Sequence, residues 1–315
     1  KIESNKISET FADMAFEATS KALQDAGMTI NDIDNVITTS NDFWDGRTIS
    51  CMAVGDASGA ANKNVSCVEG DGTYGAFYGL TRALSGSYDT TLITAHSKGS
   101  QSVSSLITNA AFDPIYERAL GMDMISACAM QANSFMHRTS TTAEQLAMVS
   151  VKNHGNAKMN PLAQLPMDIT VEDVLNSEMI SDPLHKLDCS PVSDACCAII
   201  IANESKAEKF KQKPVWIKGV SFMSDHFFFG DRDLSRARSL TGAAKKAFQM
   251  AGITNPQKEI DLTEVYDGFT YQELMWLEEM GLCSESEAGK LLEKGEFNIK
   301  GRLPVNPSGG LLSGH

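Results

Sequence analysis

Two stretches far apart in the chain, KALQDAGMT at residues 21–29 and KAFQMAGIT at residues 246–254, are identical at six of nine positions. Each closes a run of apolar residues at helical spacing, and its glycine suits the end of a helix. A short acidic loop and an Ile-Asp pair then lead into a predicted strand in both places. The shared order of helix, stop, loop and strand predicts a duplicated α/β unit, and therefore a fold with two similar halves.

Other segments support an α/β fold. TTLITAHS at 90–97 and ACCAIIIAN at 195–203 predict buried strands, and VWIKGVSFMS at 215–224 predicts a strand that alternates more. The residues between the segments at 90–97 and 195–203 carry many Met, Ala and Ser at helical spacing, which predicts helices there. We therefore divide the chain into four parts. These are an N-terminal half (1–98), a mostly helical insertion (99–188), return strands of the N-terminal half (189–224) and a C-terminal half (225–315).

The composition excludes several classes of protein. The chain of 315 residues is 42% hydrophobic and 21% charged, as in ordinary globular proteins. No apolar run approaches the roughly 18 residues of a membrane span, and no signal segment marks export, so a cytoplasmic location is expected. The net charge of −13 argues against nucleic acid as a partner. The seven cysteines show no CxxC pair, which predicts reduced thiols and no bound metal.

Three segments could carry chemistry. In NVSCVEGDGTYGAFYGL at 64–80, we place Cys67 at the entrance of a helix, where the helix dipole favours a thiolate; a structural Cys in a Gly-rich turn is the alternative. In TEVYDGF, Tyr266 lies at a predicted strand-to-helix junction and either donates a hydrogen bond to a substrate or only packs there. NPSGGLLSGH at 306–315 predicts a tight turn that presents His315, a candidate general base.

In this order, the three segments resemble the thiolase superfamily, most closely the sterol-carrier-protein-X type and its bacterial and archaeal relatives. The Cys67 loop, YDGF at 266–269, CSPVSDACCAII at 189–200 and the final Gly-His block carry the resemblance. It implies a five-layered α-β-α-β-α sandwich of two similar halves. It also implies acyl-CoA substrates, coenzyme A as co-substrate, and a homodimer.

The resemblance also implies roles for individual residues. Cys67 would be the nucleophile, His315 the base that activates it, and Tyr266 a donor near the thioester oxygen. Asn306 and the paired glycines Gly309 and Gly310 would contribute to the substrate or oxyanion site. Tyr266 departs from the family pattern, because the closest relatives carry His there.

The segment EVYDGFTY at 264–271 resembles thiolases of bulky or branched acyl-CoAs that work with a small zinc-ribbon/OB-fold subunit, such as the benzoylsuccinyl-CoA thiolases of anaerobic toluene degradation. This implies a 3-oxoacyl-CoA thiolase for a bulky, branched or aromatic acyl group, with such a partner subunit. A retro-aldolase that uses Tyr266 on a 3-hydroxyacyl-CoA, a condensing enzyme and a non-catalytic scaffold subunit remain alternatives.

Coenzyme A is an anion and needs cations on this acidic chain. GDRDLSRARSL at 230–240 offers Arg232, Arg236 and Arg238 as candidates for its phosphates. Surface pairing with Asp231 and Asp233 is the alternative.

Overall fold

The computed structural model describes residues 2–47, 49–207, 210 and 212–314. The helices are α1 (Phe11–Ala26), α2 (Cys51–Val54), α3 (Gly72–Leu84), α4 (Ser104–Ala111), α5 (Met124–Thr139), α6 (Ala143–Asn156), α7 (Val171–Leu175), α8 (Glu204–Ala207), α9 (Arg238–Ala251), α10 (Pro256–Glu259), α11 (Thr270–Glu279) and α12 (Ala288–Glu293). The strands are β1 (Asn35–Ser40), β2 (Asn64–Glu69), β3 (Thr90–Lys98), β4 (Met179–Ser181), β5 (Leu184–His185) and β6 (Asp194–Ala202). Across these described ranges, no helix has the length and apolar character to cross a membrane.

The chain forms two compact units. The first, called the sheet unit, combines residues 3–107 with residues 192–216. The second, called the helical unit, is built from residues 108–191 and from residue 217 onward.

The sheet unit is a four-stranded sheet with helices on both faces. Its strand order is β2-β1-β3-β6, with β1 parallel to β2 and β3, and β6 antiparallel to β3. Ile37 and Ile93 pack with Ala83 of α3 on one face, while Val36 and Leu92 belong to a separate cluster that the end of α1 contacts. Because successive side chains of a strand point to opposite faces, α1 and α3 cover opposite sides of the sheet.

The helical unit packs α5, α6, α9, α11 and α12 around one core. Phe135, Leu146, Leu274 and Leu277 are fully buried there, as the helical periodicity of these segments predicts. A short hairpin, β4 with β5, lies in the same unit.

The repeated glycines end helices as predicted. Gly27 after α1 has a φ of 65°, and its amide bonds the carbonyl oxygens of Gln24 and Leu23. Gly252 after α9 has a φ of 75° and the same pattern of bonds. Only glycine adopts this left-handed conformation without a steric cost, so the sequence signal is local and reliable.

Two strands predicted after β6 do not form in the part of the chain that is described. Residues 215–224, predicted as a return strand, lie in neither a strand nor a helix. After the second repeat, Thr263 makes only an isolated parallel bridge with Val305. A strand requires a hydrogen-bonded neighbour along its length, and a sequence pattern does not supply that neighbour.

Candidate active site

Cys67 lies within β2, and not at a helix entrance. The neighbouring Val68 packs with Ala83 and Ile93 on the face that α3 covers, so Cys67 points to the opposite face. There Thr38, its register partner on β1, donates a hydrogen bond from Oγ1 to the Cys67 sulfur at 3.5 Å. The expectation that the dipole of the following helix activates this thiol is therefore wrong.

The entrance of α3 is occupied by an acidic residue. Oδ1 of Asp71 accepts hydrogen bonds from the amides of Thr73 at 2.9 Å and Tyr74 at 3.2 Å. These two amides are the groups that would stabilise a thiolate at the N-terminus of this helix. The first residue of α3 is Gly72, which has no side chain.

Cys67 nevertheless differs from the other cysteines. Cys67 and Cys197 are the two exposed cysteines of the described residues, and burial is the largest cause that raises the pKa of Cys197 and of each of the other five thiols. Burial, together with the neighbouring Cys67, raises the pKa of Cys51 to about 11. A buried thiol that stays protonated is a poor nucleophile. Cys67 is therefore the cysteine best placed for nucleophilic chemistry.

Tyr266 presents its phenol at the start of the segment that leads into α11. Its side chain is 58% exposed, and its carbonyl oxygen accepts a hydrogen bond from Nε1 of Trp276 at 2.6 Å. The ring lies against Gly268, where an added Cβ would be 2.8 Å from a ring atom.

Beneath Tyr266 lies a buried polar network that the sequence did not reveal. Nζ of Lys152 is 3.0 Å from Oε1 of Glu273. Nδ2 of Asn153 donates to Oδ2 of Asp267 at 2.7 Å and to Oε2 of Glu273 at 2.8 Å. Lys152 and Asn153 interrupt the apolar face of α6, and Glu273 interrupts that of α11. These polar residues at core-facing positions were the sequence signal that could have revealed the network. Buried polar groups of this kind are retained only when they are paired.

Asn306, predicted to contribute to the substrate or oxyanion site, belongs to this network. Its side chain has no exposed surface. Oδ1 accepts from the amide of Val265 at 2.7 Å, and Nδ2 donates to Oε2 of Glu273 at 2.9 Å. The amide therefore fastens the final loop to the core.

Gly309 and Gly310 form a turn against Asp267. Their φ angles are 106° and 61°, and a Cβ added at Gly310 would be 2.3 Å from Oδ2 of Asp267. The amide of Leu311 donates to Oδ1 of Asp267 at 2.6 Å. The glycines therefore permit the turn to pack closely against Asp267. Their predicted role in an oxyanion site did not include this packing. His315 lies outside the described residues.

The three candidate arginines do not form a cluster for phosphate. Arg236 contacts the carboxylates of Glu285 at 2.7 Å and Glu279 at 3.6 Å, and Arg238 lies 3.6 Å from Asp233. Both would have to leave these carboxylates to bind a phosphate. Arg232 instead donates to the carbonyl oxygens of residues 226 and 227, and within the described ranges no carboxylate pairs with it.

Acidic, His and Cys side chains do not gather into a metal site in the described part of the chain.

Comparisons with known proteins agree with this architecture. A family profile described as "Thiolase C-terminal domain-like" matches residues 222–315. An acetyl-CoA acetyltransferase of Methanothermobacter thermautotrophicus is 36% identical over 315 residues, covering 97% of this chain and 82% of that protein. The benzoylsuccinyl-CoA thiolase subunit BbsB of Thauera aromatica is 33% identical over 201 residues, covering 63% of this chain and 52% of that protein.

A solved structure described as "Ltp2-ChsH2(DUF35) aldolase" has a similar fold. It superposes with a TM-score of 0.84 and covers 99% of this chain and 82% of that one, at 24% sequence identity. The predicted thiolase-like fold is thereby confirmed. The chain belongs to the thiolase superfamily.

Proposed function

We propose that the chain is an acyl-CoA C-acyltransferase that cleaves a 3-oxoacyl-CoA with coenzyme A through an acyl-enzyme on Cys67. The observation that carries this proposal is the exposure of Cys67, set against burial that raises the pKa of the other six thiols. The acetyl-CoA acetyltransferase of M. thermautotrophicus, similar over 97% of the chain, supports it.

The proposed reaction has two steps, acyl transfer to Cys67 and acyl transfer from Cys67 to coenzyme A. His315 takes the proton of Cys67, and the sulfur attacks the 3-keto carbon of the substrate. The bond between Cα and Cβ breaks, and its electron pair forms the enolate of the shorter acyl-CoA, which is then protonated. The thiol of coenzyme A next attacks the thioester on Cys67 and releases the second acyl-CoA. Tyr266 would donate a hydrogen bond from its phenol to a substrate oxygen.

A bulky, branched or aromatic acyl group is the proposed substrate class. The similarity to BbsB, named a benzoylsuccinyl-CoA thiolase subunit, supports it. We also propose a homodimer that works with a small zinc-ribbon/OB-fold subunit. The aldolase with a similar fold, whose description names a second component, supports a partner of this kind.

Mass spectrometry tests the acyl-enzyme directly. The full-length protein, with any subunit that accompanies it, is mixed with acetoacetyl-CoA or an aromatic 3-oxoacyl-CoA in the absence of free coenzyme A. We expect one acyl adduct, located on the peptide that contains Cys67 and removed when coenzyme A is added. Consumption of the substrate without an adduct on any cysteine would contradict the proposal.

Arg232 is the proposed contact for the phosphates of coenzyme A. It lines an open surface depression of about 660 Å³ with Asn133, His137, Arg138 and Ser235, and no carboxylate of the described residues pairs with it. A guanidinium suits phosphate because it donates two parallel hydrogen bonds.

Replacing Arg232 by alanine should raise the KM for coenzyme A at least about tenfold, since a charged hydrogen bond is lost. The kcat should stay within about twofold, because the phosphates lie far from the reacting carbon. Arg238→Ala is the matched control, since Arg238 is 79% exposed and has only a distant partner in Asp233. Equal increases in KM for the two variants would contradict this role of Arg232.

Retro-aldol cleavage of a 3-hydroxyacyl-CoA is a second candidate. The entrance of α3 carries Asp71 and Gly72 in place of a thiol, and Cys67 points to the other face of the sheet. The exposed phenol of Tyr266 offers a proton-transfer group that would need no covalent intermediate.

A further inference from the structure

A second thiol lies beside Cys67 on the same side of the sheet. Cys51 is the first residue of α2, which packs against β1 and α1. Val54 of α2 lies in one buried cluster with Phe11 of α1, so α2 covers the same side of the sheet as α1. Cys67 points to this side, where its sulfur accepts the hydrogen bond from Thr38 at 3.5 Å.

The two side chains interact, and Cys51 with Cys67 is called the thiol pair. They lie within reach of a side-chain hydrogen bond. Burial first, and then this hydrogen bond and the charge of Cys67, raise the pKa of Cys51 to about 11. Cys51 is half-buried and therefore stays a protonated thiol at neutral pH, whereas Cys67 is exposed and can meet a soluble reagent. Disulfides form between cysteines whose side chains already face each other at short range.

Two other groups of cysteines lack this combination. Cys196 and Cys197 are adjacent on β6, so their side chains point to opposite faces of the sheet. Cys128 and Cys189 are near each other, but burial raises the pKa of both, to about 11 and about 12, and neither is exposed. The thiol pair alone joins an exposed sulfur to a second sulfur on the same side of the sheet, within the described ranges.

We propose that the thiol pair is a modification site, at which a hydroperoxide oxidises Cys67 and the sulfurs of Cys67 and Cys51 then close a reversible disulfide. The Cys67 sulfur attacks one oxygen of hydrogen peroxide, and the O–O bond breaks. Cys67 becomes a sulfenic acid, and the leaving hydroxide forms water with the proton that the Cys67 thiol gives up. The Cys51 sulfur then attacks the sulfenic sulfur, the S–O bond breaks, and this hydroxide leaves as water with the Cys51 proton. Two thiols and one peroxide thus give one disulfide and two waters.

The disulfide would switch off the sulfur that the proposed function uses and would also protect it. A sulfenic acid with no second thiol in reach proceeds to the sulfinic acid, which ordinary thiols do not reverse. A disulfide is instead reopened by thiol exchange. The effect on turnover rests on the proposed function, whereas formation of the bond does not.

Peptide mapping of the full-length protein tests the bond itself. The reduced protein is treated with a small excess of hydrogen peroxide, free thiols are blocked with iodoacetamide, and the protein is digested with trypsin without reduction. Lys63 lies between the two cysteines, so trypsin places them in separate peptides, at 48–63 and 64–82. We expect these two peptides to be linked, with the loss of two hydrogens, and to separate with dithiothreitol. Sulfinic acid at Cys67 beside an alkylated Cys51 would overturn the inference.

Cys51→Ser tests whether the second thiol is required. In the wild type, acyl-CoA cleavage should fall at least about tenfold after peroxide and return with dithiothreitol. Cys51→Ser should start within about twofold of the wild-type activity and lose it without recovery. Cys196→Ser is the matched control, since Cys196 packs against the cluster of Val54, and it should behave as the wild type. Equal recovery in Cys51→Ser would overturn the inference.

The peptide map decides the question if Cys51→Ser does not fold, because it uses the wild type alone. Linked peptides in a protein that is inactive on every acyl-CoA before oxidation would support the thiol pair and refute the proposed function. Full cleavage activity in the linked protein would likewise support the pair and refute Cys67 as the nucleophile.

Discussion

Cys67→Ala is expected to lower kcat/KM for thiolysis of a 3-oxoacyl-CoA by at least about 10⁴-fold, because the covalent nucleophile is removed. The substitution should leave the fold intact, since the side chain is exposed and the hydrogen bond that it loses, from Thr38, is long at 3.5 Å. Steady-state assays with saturating coenzyme A measure the loss, and circular dichroism confirms the fold.

Cys197→Ala is the matched control, because Cys197 is also classed as exposed and lies on a strand of the same sheet. It should retain nearly full activity. Both variants are also assayed with a 3-hydroxyacyl-CoA. If Cys67→Ala retains full carbon–carbon cleavage of either substrate, acyl transfer through this sulfur is excluded and retro-aldol chemistry at Tyr266 becomes the better explanation.

Gly310→Ala is expected to cost about 2–5 kcal/mol of the free energy of unfolding. The φ of 61° disfavours any side chain, and the new Cβ would fall 2.3 Å from the buried carboxylate of Asp267. The carboxylate cannot retreat, because Asn153 and the amides of the turn hold both of its oxygens. Urea denaturation measures the change.

Gly252→Ala separates backbone strain from the clash. Gly252 has a φ of 75°, but an added Cβ would meet nothing within 4 Å. This variant should lose only about 1–2 kcal/mol, the cost of a left-handed residue. Equal losses for the two glycines would show that Asp267 does not press on the turn.

Local patterns in the sequence identified the elements of this fold well. The strand predicted at 90–97 is β3, the strand predicted at 195–203 is β6, and the repeated helices end at Gly27 and Gly252. Strand patterns and helix ends depend on residues that are close together in the sequence, so they can be predicted from the sequence alone. The segment at 215–224, predicted as a strand, shows the limit, because strand pairing depends on distant residues.

In the candidate site, too, some features could be predicted from the sequence and others could not. The Cys67 loop, Tyr266 and the paired glycines could be singled out from the sequence. The buried positions of Asp267, Glu273, Lys152 and Asn306 could not, because each is buried by packing between elements far apart in sequence.

The sequence by itself determined the helix ends and the short list of chemical groups, since these follow from residue types and close spacing, and it carried the resemblance from which the family was predicted. Only the tertiary structure decided that Cys67 points away from α3, that Asn306 faces inward and that Arg236 is paired with Glu285. The physical reason is that the direction and partners of a side chain depend on which element covers it. That covering element lies far away in the chain and becomes a neighbour only on folding.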